Sequence, residues 1–212
     1  MLPDVARAHA ARVLAARDAW TPAFDGEQWS LGRAFYTHLE EGLDGDYFRL
    51  AADSDAEVER RAPGLQEEVI SLAARALGAP VHRRPGFCGP GVHVFLPGDP
   101  VSRRGGVVHF DTEGLTPAQL AARTPAATLV LMLQPADRRG GTRVWGVGYR
   151  GRDHATREEL RSPSSMITYR AGDAALLDAY RLHQIQAFAG GPRVSATAHL
   201  ARVASGAWEC WF

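Results

Sequence analysis

The chain of 212 residues is long enough for one domain with a single hydrophobic core. Its 24 basic and 24 acidic residues give a formal net charge of +0, and hydrophobic residues make up 45% of the chain. This balance argues against a nucleic-acid or membrane surface, since such partners require clustered positive charge. No segment approaches the ~20 apolar residues of a membrane span, and the first residues lack the apolar run of a signal peptide. We therefore expect a cytoplasmic protein, with Cys88 and Cys210 as free thiols.

The first eighty residues have a helical pattern of apolar side chains. Three helices are predicted, over residues 3–20, 30–42 and 65–78, with Ser30 as the N-cap of the second and Gly78 ending the third. We expect residues 1–80 to form a helical buttress within a single domain that spans residues 1–212.

The pattern changes at about Gly86. Short runs rich in Val, Leu and Thr then alternate with Gly, Pro and Asp turns, and about seven strands are predicted: GVHVFLPGD, GGVVHFD, ATLVLMLQP, GGTRVWGVGY, SMITYRAGD, ALLDAYRLHQIQAF and RVSATAHLARV. Strands at such short, regular spacing are typical of a sandwich or jelly roll. The predicted fold class is therefore mainly β, with N-terminal helices and a β core over residues 86–204.

The segment GGVVHFDTEG carries the first candidate metal ligands. Side chains alternate faces along a strand, so His109 and Asp111 point the same way and can bind one metal ion. A His-x-Asp pair alone is a weak signal, because it occurs by chance in many proteins.

A third candidate ligand, His183, lies in the strand-like run ALLDAYRLHQIQAF. Two strands of a jelly roll can bring it opposite the His-x-Asp pair. Two imidazoles and one carboxylate on one side of a metal ion leave three coordination positions open, which is the arrangement used in non-haem iron(II) and dioxygen chemistry.

The segment RVSATAHL predicts a buried anion site. Arg193 and Ser195 share one strand face, while Val194 and its alternate neighbours make the other face apolar. If the apolar face packs on helices, Arg193 points into the interior, where a guanidinium needs an anion. A bound carboxylate suits it, because arginine binds carboxylates through two parallel hydrogen bonds.

Together, and in this order, the three segments resemble the iron(II)/2-oxoglutarate-dependent oxygenase superfamily. The resemblance covers roughly residues 86–204 and implies a double-stranded β-helix, a jelly roll whose mouth holds the iron. By this resemblance His109, Asp111 and His183 ligate iron(II), while Arg193 and Ser195 bind 2-oxoglutarate as cosubstrate. Thr128 is expected on the inward face of its strand, near the cosubstrate, and dioxygen is expected at the remaining metal position.

The carboxylate Asp111 favours hydroxylation or a related oxidation, since related halogenases have a small residue at that position. The short length of the chain and its lack of a basic groove favour a small-molecule substrate, such as an amino acid or a natural-product intermediate. The protein is expected to be a monomer or a homodimer. Glu113, Arg143 and Trp145 are candidate substrate contacts.

Two alternatives remain open at this point. One is a prolyl-hydroxylase-like oxygenase that modifies a peptide or protein. The other is a cupin-like jelly roll that binds a metal or ligand without catalysis, in which the Arg193 and Ser195 pair has no role.

Overall fold

The structure is a computed structural model that describes all 212 residues. Residues 1–80 contain five helices and two short strands. The elements are α1 (Pro3–Ala15), β1 (Thr21–Ala23), β2 (Gln28–Leu31), α2 (Phe35–Glu40), α3 (Asp44–Arg49), α4 (Ala51–Arg61) and α5 (Leu65–Leu77). Gly78 follows α5 with a φ of 63°, so the predicted end of this helix is confirmed. None of the helices has the length and apolar character needed to cross a membrane.

The rest of the chain is mainly antiparallel β structure. Its strands are β3 (Val81–Arg83), β4 (Gly91–Phe95), β5 (Ala126–Gln134), β6 (Arg138–Arg139), β7 (Thr142–Gly148), β8 (Ser164–Ile167), β9 (Ala174–Asp178), β10 (Arg181–Ile185), β11 (Phe188–Ala189), β12 (Arg193–Arg202) and β13 (Trp208–Trp211). Two short helices, α6 (Pro100–Arg104) and α7 (Pro117–Ala122), lie between β4 and β5.

The longest strand, β12, organises the larger sheet. It pairs with β5 along one edge, and β4 and β13 pair with different halves of it along the other. Strands β1 and β2 extend the sheet beyond β4, β3 extends it beyond β13, and β9 pairs with β5. A smaller sheet has the order β10-β7-β8. The two sheets form a jelly roll without a closed barrel, which confirms the predicted fold class.

The two faces of β12 have different environments, as the sequence predicts. Val194, Ala196, Ala198 and Leu200 belong to a core cluster that also contains the buried faces of α1 and α5. The helices therefore cover the outer face of the large sheet, and the alternate residues of β12 are left to point between the sheets.

Three sequence-based expectations need correction. Ser30 lies in β2 opposite His93 rather than capping a helix, and its hydroxyl donates to the Gly32 carbonyl oxygen at 2.7 Å. The run ALLDAYRLHQIQAF contains a tight turn after Asp178, so it forms β9 and β10 rather than one strand. The segment GGVVHFD is extended but irregular, with a single β-bridge from His109 to His183.

Candidate metal centre and its cavity

The segment that carries His109 and Asp111 is attached to the small sheet through β10. The His109 N–H donates to the His183 carbonyl oxygen at 3.1 Å, and the His183 N–H donates back to the His109 oxygen at 3.0 Å. Three residues before His109, the Gly106 N–H donates to the Ile185 oxygen, so two residues, Val107 and Val108, lie opposite the single residue Gln184. This bulge explains why no regular strand forms, and bulges of this kind redirect side chains next to functional sites.

The three candidate ligands converge on one point. His109 Nε2 lies 3.4 Å from Asp111 Oδ1, and His183 Nε2 lies 3.3 Å from Asp111 Oδ2. One ligand atom from each residue lies within 4.8 Å of the others. The side chains of Asp111 and His183 are 7% exposed and that of His109 is 39% exposed, so the group is open on the His109 side.

A backbone carbonyl lies within hydrogen-bonding distance of Nδ1 in both imidazoles. His109 Nδ1 lies 2.8 Å from the Val107 oxygen, and His183 Nδ1 lies 2.9 Å from the Arg181 oxygen. If each Nδ1–H donates to its carbonyl, each Nε2 presents a lone pair towards the Asp111 carboxylate. Lone pairs that face each other repel unless a cation lies between them, and Asp111 Oδ2 is buried without a hydrogen-bond donor. The residues therefore fit a divalent metal ion such as iron(II).

The charge state of Asp111 also suits a metal ligand. Burial acts to raise its pKa, but the neighbouring imidazoles of His183 and His109 hold the pKa well below its usual range. Burial lowers the pKa of His183, which favours the neutral imidazole that binds metals. Burial also lowers the pKa of His109, but Asp111 outweighs it and raises that pKa to about 9, so a metal ion competes with a proton there.

Arg193 is a buried cation without an acidic partner. It is 2% exposed, and no carboxylate forms an ion pair with it. Its Nε donates to the Gly140 oxygen at 3.0 Å and its Nη1 to Ser195 Oγ at 3.1 Å. The rings of Phe95 and Tyr169 flank the guanidinium. Burial lowers the pKa of Arg193 to about 10, because a charged guanidinium is costly to bury without an anion beside it.

One cavity of about 930 Å³ connects the candidate ligands to Arg193 and Ser195. Both sheets line it: β4, β5, β9 and β12 from the large sheet, and β7 and β10 from the small one. Thr128 also lines the cavity, and its hydroxyl lies 3.1 Å from Nδ1 of His199. A cavity of this size has room for one drug-sized ligand or for two smaller molecules.

The three candidate substrate contacts have different positions. Glu113 lines the cavity, and burial raises its pKa to about 7. Arg143 and Trp145 do not line it. Trp145 packs in a separate cluster with Phe110 and donates its indole N–H to the Leu160 oxygen, while the exposed Arg143 stacks on its ring. The sequence-based assignment of these two residues to the pocket is therefore not supported.

Sequence reasoning missed the contribution of the N-terminal part to this cavity. Gln28 of β2 and Tyr36 and Glu40 of α2 line it, and Gln28 Nε2 lies 3.3 Å from His93 Nδ1. For His93 the signal was present, because it alternates with the core residues Val92 and Val94 along β4.

No family model matches the chain, and no curated protein matches its sequence. Solved structures do match. An N-substituted L-amino acid dioxygenase from Burkholderia ambifaria has a TM-score of 0.58 at 16% identity, covering 98% of this chain and 91% of that one.

Two further structures match over comparable lengths. The epimerase SnoN, solved with Fe³⁺, alpha-ketoglutarate and nogalamycin RO, has a TM-score of 0.59 at 15% identity and covers 94% of this chain and 75% of its own. The non-haem alpha-ketoglutarate-dependent carbocyclase SnoK, from nogalamycin biosynthesis, has a TM-score of 0.53 at 17% identity, with coverages of 100% and 89%. The chain therefore has the fold of the iron(II)/2-oxoglutarate-dependent oxygenases, as the sequence resemblance implies.

Proposed function

We propose that this protein is an iron(II)- and 2-oxoglutarate-dependent oxygenase that acts on a small molecule. The observation that carries the proposal is that one cavity contains both the converging group of His109, Asp111 and His183 and the buried, unpaired Arg193. A metal-binding group alone fits many functions, whereas a nearby buried cation adds a site for a dicarboxylate.

The residues have separate roles in this proposal. His109, Asp111 and His183 would hold iron(II), and the cavity beside them would receive the keto-acid end of 2-oxoglutarate. Arg193, with Ser195 beside it, binds the distal carboxylate. Thr128 orients His199 at the cavity wall. When bound, the iron couples oxidative decarboxylation of 2-oxoglutarate to oxidation of the substrate, and the protein contributes orientation and exclusion of water.

Hydroxylation is the reaction we favour, because Asp111 supplies a carboxylate where related halogenases have a small residue. The solved relatives include an epimerase and a carbocyclase, so related oxidations use the same fold. Those relatives also support a small-molecule substrate: one is named for an N-substituted L-amino acid, and one contains nogalamycin RO.

The two alternative functions require a different site shape or leave Arg193 without a role. A peptide-modifying oxygenase needs an open groove, whereas the candidate site here opens into a cavity between two sheets. A binding protein without catalysis gives no role to Arg193, whose burial without an anion is costly.

Anaerobic addition of iron(II) and 2-oxoglutarate tests the proposal. A weak visible charge-transfer band should develop with the native chain and should be lost in His183→Ala. The exposed, unpaired Glu158 offers a control, so Glu158→Gln should keep the band. Iron binding without any such band, and without succinate release in air, would favour the non-catalytic binding protein.

A further inference from the structure

The cavity lining has a charge balance unlike that of the whole chain. The chain has 24 basic and 24 acidic residues, yet Arg193 is the only basic residue other than histidine that lines the cavity. Six acidic residues line it: Asp25, Glu27, Glu40, Glu41, Asp111 and Glu113. With iron and 2-oxoglutarate bound, the charges of the metal, Asp111, the cosubstrate and Arg193 cancel. Asp25, Glu27, Glu40 and Glu41 then make the rest of the cavity negative, and Glu113 adds a further carboxyl group to it.

Some of these carboxylates already have partners within the protein. Glu27 lies 3.5 Å from Arg104, and Glu41 accepts a hydrogen bond from the Phe24 N–H at 2.6 Å. Asp25, Glu40 and Glu113 form no ion pair and accept no side-chain hydrogen bond. Three carboxylates at the rim of one cavity are therefore free to bind a cation.

The arginines near the strands do not compensate for this charge. Arg83 pairs with Asp55 and Glu67, and Arg84 donates to the Gly114 oxygen. Neither lines the cavity, and no free arginine is left at the rim to attract an anionic substrate.

Unpaired polar groups deeper in the same cavity indicate that it is built to receive an organic ligand. His93 is 7% exposed and accepts the Gln28 amide at Nδ1, so its Nε2 carries the hydrogen and donates to no protein atom. Thr197 is 5% exposed, lines the cavity and forms no side-chain hydrogen bond. Buried donors of this kind are normally satisfied, so a bound molecule is their natural partner.

Exposed apolar side chains line the same cavity as the free carboxylates. Val107, next to the candidate ligand His109, is 81% exposed, and Leu43 is 45% exposed, and both line the cavity. Exposed apolar residues around a polar site are typical of a ligand-binding surface.

Resting on the proposed function, we infer that the substrate is an organic amine whose ammonium group binds Glu40 and Glu113 at the cavity rim. Its carbon skeleton contacts Val107 and Leu43. The two carboxylates determine specificity by charge, because a neutral or anionic analogue leaves them without a partner.

Three probes with one aromatic scaffold test this inference: phenethylamine, phenethyl alcohol and 3-phenylpropionate. Their binding is measured by calorimetry on the full chain, both metal-free and loaded with zinc and 2-oxoglutarate. With zinc and 2-oxoglutarate bound, the amine should bind at least about tenfold more tightly than either analogue; in the metal-free chain, where Arg193 is free to bind a carboxylate, it should bind at least about tenfold more tightly than the alcohol. The preference should fall at least about tenfold in the double variant Glu40→Gln/Glu113→Gln and remain in Glu158→Gln.

The inference would be overturned if the alcohol bound as tightly as the amine in either state, if the carboxylate did so in the loaded chain, or if the amine failed to bind at about 10 mM. An amine preference that survives the double variant would also overturn it. Because the carboxylates belong to the chain, the metal-free measurement is independent of iron binding. A failure of the amine preference is thus distinguishable from a failure of the proposed oxygenase activity.

Discussion

Arg193 and Ser195 lie two residues apart on β12 and point into the same cavity, where Nη1 of Arg193 donates to Ser195 Oγ at 3.1 Å. The bond to the Gly140 oxygen fixes the other side of the guanidinium. These two bonds hold the side chain in place before any ligand binds. The remaining N–H groups of Arg193 form no hydrogen bond to the protein and are free to bind a ligand.

This arrangement predicts that the shape of the guanidinium matters as well as its charge. Arg193→Lys should weaken 2-oxoglutarate binding by roughly 10- to 100-fold, because a lysine ammonium cannot make two parallel hydrogen bonds to a carboxylate. Calorimetry with the zinc-loaded protein measures the effect. Arg143→Lys is the matched control, since Arg143 is exposed outside the cavity. Equal affinities for all three proteins would show that 2-oxoglutarate does not bind Arg193.

Substitution of the candidate ligand Asp111 should weaken metal binding without unfolding the protein. Asp111→Asn keeps the side-chain shape but removes the negative charge between the two imidazoles, so iron(II) affinity should fall by at least about 100-fold. Metal titration measures the affinity, and circular dichroism reports whether the strands remain. The control is Asp173→Asn, at an exposed turn outside the cavity. Unchanged metal affinity in Asp111→Asn would remove Asp111 from the site.

The alternation along β12 made much of this site predictable from sequence. Apolar residues at 194, 196, 198 and 200 indicated a face against the helices, which placed Arg193 and Ser195 inside. The same period of two placed His109 and Asp111 on one side, although the bulge before His109 prevents a regular strand. The alternation of side chains was sufficient to predict site residues that lie together on one extended segment.

The N-terminal part of the cavity could not be predicted in this way. Strand β2 has only four residues, and it joins the sheet because Leu31 and its neighbours find pairing partners in β4. The turn before it needs left-handed backbone at Phe24 and Asp25, which is uncommon for residues other than glycine. Tertiary contacts therefore determine where Gln28, Tyr36 and Glu40 lie.

A substitution on the outer face of the large sheet should lower the stability of the fold without abolishing iron(II) binding. Leu131 of β5 is 0% exposed in the core beneath the helices. Leu131→Ala should lower the free energy of unfolding by about 2–5 kcal/mol, since it leaves a cavity in a packed core. Urea denaturation measures this loss, and Leu176→Ala on β9, at 39% exposure, should cost much less. The folded Leu131→Ala chain should still bind iron(II), and equal losses in the two variants would contradict the burial of Leu131 in the core beneath the helices.

The buried His9 predicts how stability depends on pH. It lies in the core-facing side of α1 at 6% exposure, and its Nδ1 has no hydrogen-bond partner. Burial lowers the pKa of His9, with a further contribution from Arg12 and an opposing one from Glu68. Below about pH 6.5 His9 is therefore protonated more readily in the unfolded chain than in the folded chain. The free energy of unfolding consequently falls as the pH decreases through that value.

His9→Leu should remove this proton and the unsatisfied ring nitrogen together. The variant should be more stable than the native chain by about 1 kcal/mol at pH 7.5, and the difference should grow as the pH is lowered to 5. Urea denaturation of the metal-free proteins at several pH values measures both effects, and His154→Leu, at an exposed site, is the control. The other buried histidines are present in both chains and cancel in the difference. A difference that stays constant with pH would show that His9 titrates alike in the folded and unfolded chains.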